Sequence, residues 1–193
     1  MKLVVVDVGC GNIGSVGLAF ERFGLSPRVT ADPRAIAAAD KVVLPGVGAA
    51  GYAMAQIRAL GLAPLLTGLA QPVLGICLGM QLLFAHSEEG DTECLGLIPG
   101  RARRLEPGPG RPVPHMGWSK LAVDDDMLGL ADGDYVYFAH SFACDPGPWT
   151  VASTDYGGEI PAVVRAGNFL GAQFHPERSG KAGARFLEAW LAS

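Results

Sequence analysis

The sequence predicts an α/β fold: a mostly parallel central sheet flanked by helices, with strands added in the C-terminal half. Three observations lead there. Leu3 to Val8 is a β-branched run without polar alternation, which suits a strand buried on both faces of a parallel sheet. Short apolar runs and helical patterns then alternate, punctuated by Gly and Pro, through the first half of the chain. From about residue 95 the pattern changes to short strand candidates separated by Gly/Pro turns.

After the first strand, Val16, Ala19, Phe20 and Phe23 recur at helical spacing and Gly24 supplies a stop. Arg28-Val29 reads as a weak strand and Asp32-Pro33 as a helix start. Lys41 to Leu44 follows as a strand, Gly51 to Leu60 as a helix, Val73 to Ile76 as a strand and Leu78 to Ala85 as a helix. In the second half, Tyr135 to Ala139, Thr150 to Ser153, Ala162 to Val164 and Phe169 to Phe174 read as strands, some antiparallel, before a closing helix from Lys181 to Leu191. Arg101 to Pro114 is rich in Arg, Pro and Gly but too short for a domain linker, and no internal repeat is present.

Composition narrows the function classes. With 193 residues, 49% hydrophobic and 18% charged, residues 1–193 are expected to form one domain with a sufficient core of its own. A formal net charge of −4 without a Lys/Arg cluster argues against nucleic acid or a membrane surface as partner. The apolar N-terminal run is too short for a secretory segment, and Cys10, Cys77, Cys94 and Cys144 contain no C-x-x-C pair, so the expected compartment is the cytoplasm. Ala59 to Ala85 carries no charge and is long enough to cross a bilayer, but Pro64, Gly68, Pro72, Gly75 and Gly79 divide it into short pieces.

The chemistry concentrates in Gly75-Ile76-Cys77-Leu78-Gly79-Met80-Gln81. A strand runs into Gly-x-Cys-x-Gly and leaves as a helix, the nucleophile-elbow pattern with cysteine in the serine position. A cysteine at a helix N-terminus gains thiolate character, and the Leu78 N–H would face a developing oxyanion. A cysteine nucleophile needs a base and an orienting group, and Phe174-His175-Pro176-Glu177 offers both after a strand. Glu177 is expected to share a face with His175 in extended backbone. Pro45-Gly46-Val47-Gly48 follows another strand and offers a second oxyanion donor. Each segment alone has a plain structural reading; their common placement at strand C-terminal ends favours a site.

A competing motif is Gly9-Cys10-Gly11-Asn12-Ile13-Gly14, a G-x-G-x-x-G after a strand with Asp32 about 20 residues on, the spacing of a dinucleotide-binding turn. Against it, Asp32 before Pro33 serves equally as a helix cap, and the chain lacks room for a substrate domain.

The elbow together with Phe174-His175-Pro176-Glu177 resembles class I (triad) glutamine amidotransferases. Pro45-Gly46-Val47-Gly48, His115-Met116-Gly117-Trp118, His140-Ser141 and His175-Pro176-Glu177-Arg178-Ser179-Gly180 are similar to the glutaminase subunits of imidazole glycerol phosphate synthases. The resemblance spans essentially the whole chain, with two departures: Ser119 where asparagine is usual and Phe142 where tyrosine is usual. It implies a single-domain, flavodoxin-like fold and glutamine hydrolysis through a thioester on Cys77. His175 would move the proton, Glu177 orient His175, and Leu78 with the Val47/Gly48 peptide bind the oxyanion. L-glutamine would be held near Gly48, Gln81, Glu89, His140, Ser141 and Phe142.

No metal or organic cofactor is implied. The acceptor reaction would lie on a second chain, a (β/α)₈-barrel cyclase forming a heterodimer and receiving ammonia to make imidazole glycerol phosphate and AICAR. Asn12, Ser15, Trp118 and Tyr137 are the expected interface positions. The same motifs also fit the glutaminase subunit of another class I amidotransferase.

Overall fold

The computed structural model of the protein describes residues 1–9, 12–123 and 128–193. In chain order these form β1 (Leu3–Val6), α1 (Ile13–Glu21), β2 (Arg28–Thr30), α2 (Pro33–Ala37), β3 (Lys41–Gly46), α3 (Ala50–Ala59), α4 (Ala63–Thr67), β4 (Val73–Cys77), α5 (Leu78–Gln81), β5 (Phe84–Ser87), β6 (Thr92–Glu93) and β7 (Ile98–Arg104). The second half contains β8 (His115–Lys120), β9 (Ala122–Val123), β10 (Tyr135–His140), β11 (Phe142–Cys144), β12 (Thr150–Asp155), β13 (Glu159–Ala166), β14 (Phe169–Ala172), a 3-10 turn over Pro176–Arg178 and α6 (Gly180–Ala192).

The main sheet runs β2-β1-β3-β4-β14-β13-β12-β9. From β2 to β14 the pairings are parallel, and from β14 outward they are antiparallel. The alternation of side chains in the central strands sorts the core into two layers. Val4, Val6, Val42 and Leu44 pack with Ile36, Met54, Ile57 and Leu66 of α2, α3 and α4. Leu3, Val5, Val43, Leu74 and Ile76 pack with Phe20 of α1 and Phe186 and Trp190 of α6. An unalternating β-branched sequence is what a sheet covered on both faces requires.

Two expectations are corrected. The helix expected from Leu78 to Ala85 stops after Gln81, and the chain becomes β5. The reason is a competing set of hydrogen bonds: the Leu82, Leu83 and Phe84 carbonyls accept from the N–H groups of Leu95, Leu97, Ile98 and Gly96. The second-half strands do not all join the main sheet. β8 and β10 form a separate antiparallel ribbon, while β11, β7, β5 and β6 form a second small sheet. The Arg101–Pro114 segment contributes its first residues to β7. No helix among the described residues is long and apolar enough to cross a membrane.

Candidate active site

β4 lies between β3 and β14 and is parallel to both, and the crevice beyond the strands' C-terminal ends is the expected location for a ligand. Three segments meet there: the elbow at the end of β4, Val47-Gly48 after β3, and His175 to Ser179 after β14.

The elbow is strained and tightly packed. Cys77 has φ 53° and ψ −107°, a conformation L-residues rarely adopt and that costs about 1–3 kcal/mol. Neighbouring glycines make room for it. A Cβ on Gly79 would stand 1.8 Å from the Leu44 carbonyl oxygen, one on Gly75 2.6 Å from the Gly79 oxygen, and one on Gly46 2.7 Å from Leu78 Cβ. These glycines let the turn sit directly on β3, with Gly46 in register with Cys77. Because α5 has only four residues, the long-helix dipole expected at Cys77 is not there.

His175 Nδ1 lies 2.8 Å from Glu177 Oε1, and both side chains are buried. The expected extended backbone is replaced by the 3-10 turn, which brings the carboxylate back under the ring; the pairing holds for a different geometric reason. The ribbon fixes this turn: the His175 N–H donates to the Tyr137 carbonyl, and the Ser179 hydroxyl accepts from the Tyr137 N–H and donates to the His175 carbonyl. Burial works against a charged imidazole at His175, but hydrogen bonding to Cys77 and Glu177 and their negative charge push its pKa up to about 10.

These segments enclose a cavity of about 380 Å³ lined by Val47, Gly48, Cys77, Leu78, Gln81 and His175 together with Asn12, Glu89, His140, Ser141 and Phe142. Glu177 stands behind His175, outside the lining. Gly48 holds φ +111°, a region open to glycine, and nothing crowds it. Glu89 Oε2 accepts the Ala50 N–H at 2.8 Å and so caps α3, whose N-cap residue Ala49 has no capping side chain. Gln81 commits both amide hydrogens inward, to the Phe142 carbonyl at 2.8 Å and to Gln173 Oε1 at 3.1 Å, which leaves Oε1 as the atom it can offer a ligand.

His140 likewise has both ring nitrogens engaged. A carbonyl can only accept, so His140 Nδ1–H donates to Phe142 O at 2.8 Å. His140 Nε2 must then accept from His115 Nδ1–H at 3.0 Å, and His115 Nε2 from the Ser119 hydroxyl at 2.8 Å. Both rings are neutral; burial lowers the pKa of each to about 4. His115 is also sandwiched between Phe138 and Tyr156. Serine thus makes a side-chain bond where asparagine is usual, while at Phe142 the backbone carbonyl carries the polar contacts.

Of the expected interface positions, Asn12 lines the cavity and caps α1 through the Ser15 N–H. Trp118 and Tyr137 face each other across the ribbon, with ring centroids 6.0 Å apart, and Arg178 lies over the Tyr137 ring at the cavity edge. Ser15, Trp118 and Tyr137 do not line the cavity. Sequence reasoning missed Pro114, Met116, Ala139 and Arg178 in the lining and Gln173 behind Cys77. Met116 and Arg178 lie within motifs already singled out and Ala139 closes the strand expected from Tyr135; Pro114 carries no signal of its own. In the competing dinucleotide motif, Cys10 and Gly11 lie outside the described residues, and Asp32 caps α2 through the Arg34 N–H at 3.0 Å.

The chain matches the family "Glutamine amidotransferase class-I" over residues 5–192. It is 49% identical over 193 residues to the imidazole glycerol phosphate synthase subunit HisH of Idiomarina loihiensis, covering 99% of this chain and 97% of that one. It is 50% identical over 192 residues to the HisH subunit of Xanthomonas campestris, covering 98% and 96%. Among solved structures, a glutamine amidotransferase superposes with a TM-score of 0.76 at 19% identity, covering 98% of this chain and 97% of that one. A glutamine amidotransferase from Thermotoga maritima superposes with a TM-score of 0.62 at 18% identity, covering 100% and 83%. With matches of this length and identity, the chain belongs to the class-I glutamine amidotransferase family, among the relatives of the HisH subunits.

Proposed function

We propose that this chain is the glutaminase subunit of an imidazole glycerol phosphate synthase and hydrolyses L-glutamine to glutamate and ammonia with Cys77, His175 and Glu177. The observation that carries the reading is the strained elbow cysteine sharing one cavity with a histidine whose Nδ1 is held 2.8 Å from a buried carboxylate. His175, charged beside Glu177, holds the proton that Cys77 gives up to become a thiolate. The thiolate attacks the substrate amide carbon, an S–C bond forms and the carbonyl π pair moves to oxygen. Leu78, which opens α5 and so has no helical partner for its N–H, and the Val47/Gly48 peptide are the donors for that oxyanion. Collapse reforms the carbonyl, breaks the C–N bond and sends the His175 proton to the departing nitrogen. Water, deprotonated by His175, then releases glutamate from the thioester.

Glutamine is held by Gly48, Gln81 Oε1, Glu89 and the Ser141–Phe142 backbone. The His140 ring, with both nitrogens spent, shapes this wall rather than binding the substrate through them. No metal or organic cofactor takes part. The ammonia is used on a (β/α)₈-barrel cyclase subunit docked beside Asn12, Ser15, Trp118 and Tyr137, in the cytoplasm. Trp118 supports that surface because it is a large aromatic left 54% exposed. The test is glutamate release by the chain alone, with a cyclase subunit, and with cyclase plus acceptor substrate. A rise of about 10²–10³-fold in the last arm fits a second oxyanion donor, from the Val47/Gly48 peptide, that turns inward on activation. No glutamate in any arm overturns the reading.

A further inference from the structure

A fully buried glutamine stands behind the nucleophile. Gln173 follows β14, is 0% exposed, and places Nε2 3.8 Å from Cys77 Sγ. An amide so deep in a core is costly unless its polar atoms are paired. Which of its ends faces the sulfur is decided by the surrounding bonds. Phe142 O is an acceptor, so the Gln81 atom 2.8 Å from it is nitrogen. The second hydrogen of that nitrogen points to Gln173 at 3.1 Å, which makes the receiving atom Oε1 and leaves the Gln173 NH₂ toward Cys77. Phe142 O is held in turn by His140 Nδ1–H, backed by His115 and Ser119. Every link has one polarity, so the amide cannot flip without breaking bonds along the chain.

Among the described residues, one acceptor opposes this donor at the sulfur. The Ala139 carbonyl lies 3.9 Å away and can only accept, so it favours the protonated thiol, whereas an N–H donor favours the thiolate. The titratable groups facing Cys77 are His175 with Glu177 behind it, neutral His140 on β10, and Cys144 on β11. Among these, His175 takes the proton. Nothing in that set replaces a neutral donor to the sulfur itself.

Resting on the assignment of Cys77 as nucleophile, we propose that Gln173 is a further catalytic residue, whose carboxamide N–H donates to the Cys77 sulfur, stabilises the thiolate and aims it at the cavity, with Gln81 holding the donor in place. The bond counters the pull of the Ala139 carbonyl and weakens when the sulfur loses its charge in the thioester, so it acts on the attacking form.

The test is the pH dependence of alkylation of Cys77 by a small electrophile such as iodoacetamide in the full chain, read by peptide mass. Gln173→Met keeps the length and removes the donor; Gln173→Glu keeps the shape and substitutes a carboxylate. Both are expected to raise the pH of half-maximal labelling by about one unit, a tenfold fall in thiolate fraction at lower pH, with the larger shift in Gln173→Glu. An unchanged midpoint in a folded Gln173→Met or Gln173→Glu chain overturns the proposal, and a purely packing role predicts that result. If Gln173→Met does not fold, Gln173→Glu alone decides. The Cys77 assignment fails separately, by glutamine turnover that persists in Cys77→Ala.

Discussion

His175 and the His115–His140 pair are buried almost equally, at 6%, 3% and 5% exposure, yet at neutral pH the first is charged and the other two are neutral. Burial alone drives an imidazole to its neutral form, and it does so at His115 and His140, where the surrounding groups are a hydroxyl, a carbonyl and another imidazole. At His175 the same burial is outweighed by a carboxylate and a sulfur, and the pKa is about 10 rather than about 4. The difference teaches that depth does not decide protonation here; the sign of the nearest partner does. One histidine can therefore move protons while the other two act as a fixed strut behind the substrate wall.

Removing the charged half of this contrast has the largest expected effect. Cys77→Ala and His175→Ala should each lose on the order of 10⁶-fold in glutaminase rate, and the double change little more, because such residues act as a unit. Product formation from added ammonium salt in the complex should persist, checked by coupled assay with glutamine or ammonium as nitrogen source. Glu177→Gln keeps the shape and removes the charge. Its loss should be roughly 10²-fold smaller than that of His175→Ala, and the His175 pKa should fall, read by NMR titration of the ring.

The two regions should also separate in stability against pH. His175 has a raised pKa, so its contribution is complete below the unfolded value of about 6.5 and is lost as pH rises toward about 10. His115 and His140 have lowered values, so their contribution is present above about 6.5 and is lost as pH falls toward about 4. Each group changes stability by at most about 1.4 kcal/mol per pH unit in its own window. His140→Gln should flatten the acid slope and spare the alkaline one; His175→Gln should do the reverse, both followed by thermal melts across pH. The smallest effect is expected from Ser119→Ala, which leaves His115 Nε2 without its donor. A loss of about 1 kcal/mol lowers the Tm by about 2–4 °C in a domain of this size, with glutaminase activity nearly unchanged.

The layered α/β architecture was legible because its causes are local. An unalternating Leu3–Val8 run, helical spacing at Val16, Ala19 and Phe20, and a cap at Asp32 need no knowledge of distant residues. The elbow was equally legible, since Gly75, Cys77 and Gly79 are required at fixed offsets by a turn only glycine-flanked backbone can make. Glu177 beside His175 was found too, although through a 3-10 turn instead of an extended strand. The helix beyond Gln81 was misread, because nothing local announces that residues 95–98 will claim the carbonyls of Leu82 to Phe84.

Charge and amide orientation belong to that same long-range class. His140 and His175 look alike in sequence, and Gln173 is an ordinary polar residue before Phe174. Their states follow from partners brought from β4, β8, β10 and β11 into a dry interior. There an unpaired polar atom is costly and each donor must meet an acceptor, a condition satisfied only by the assembled chain.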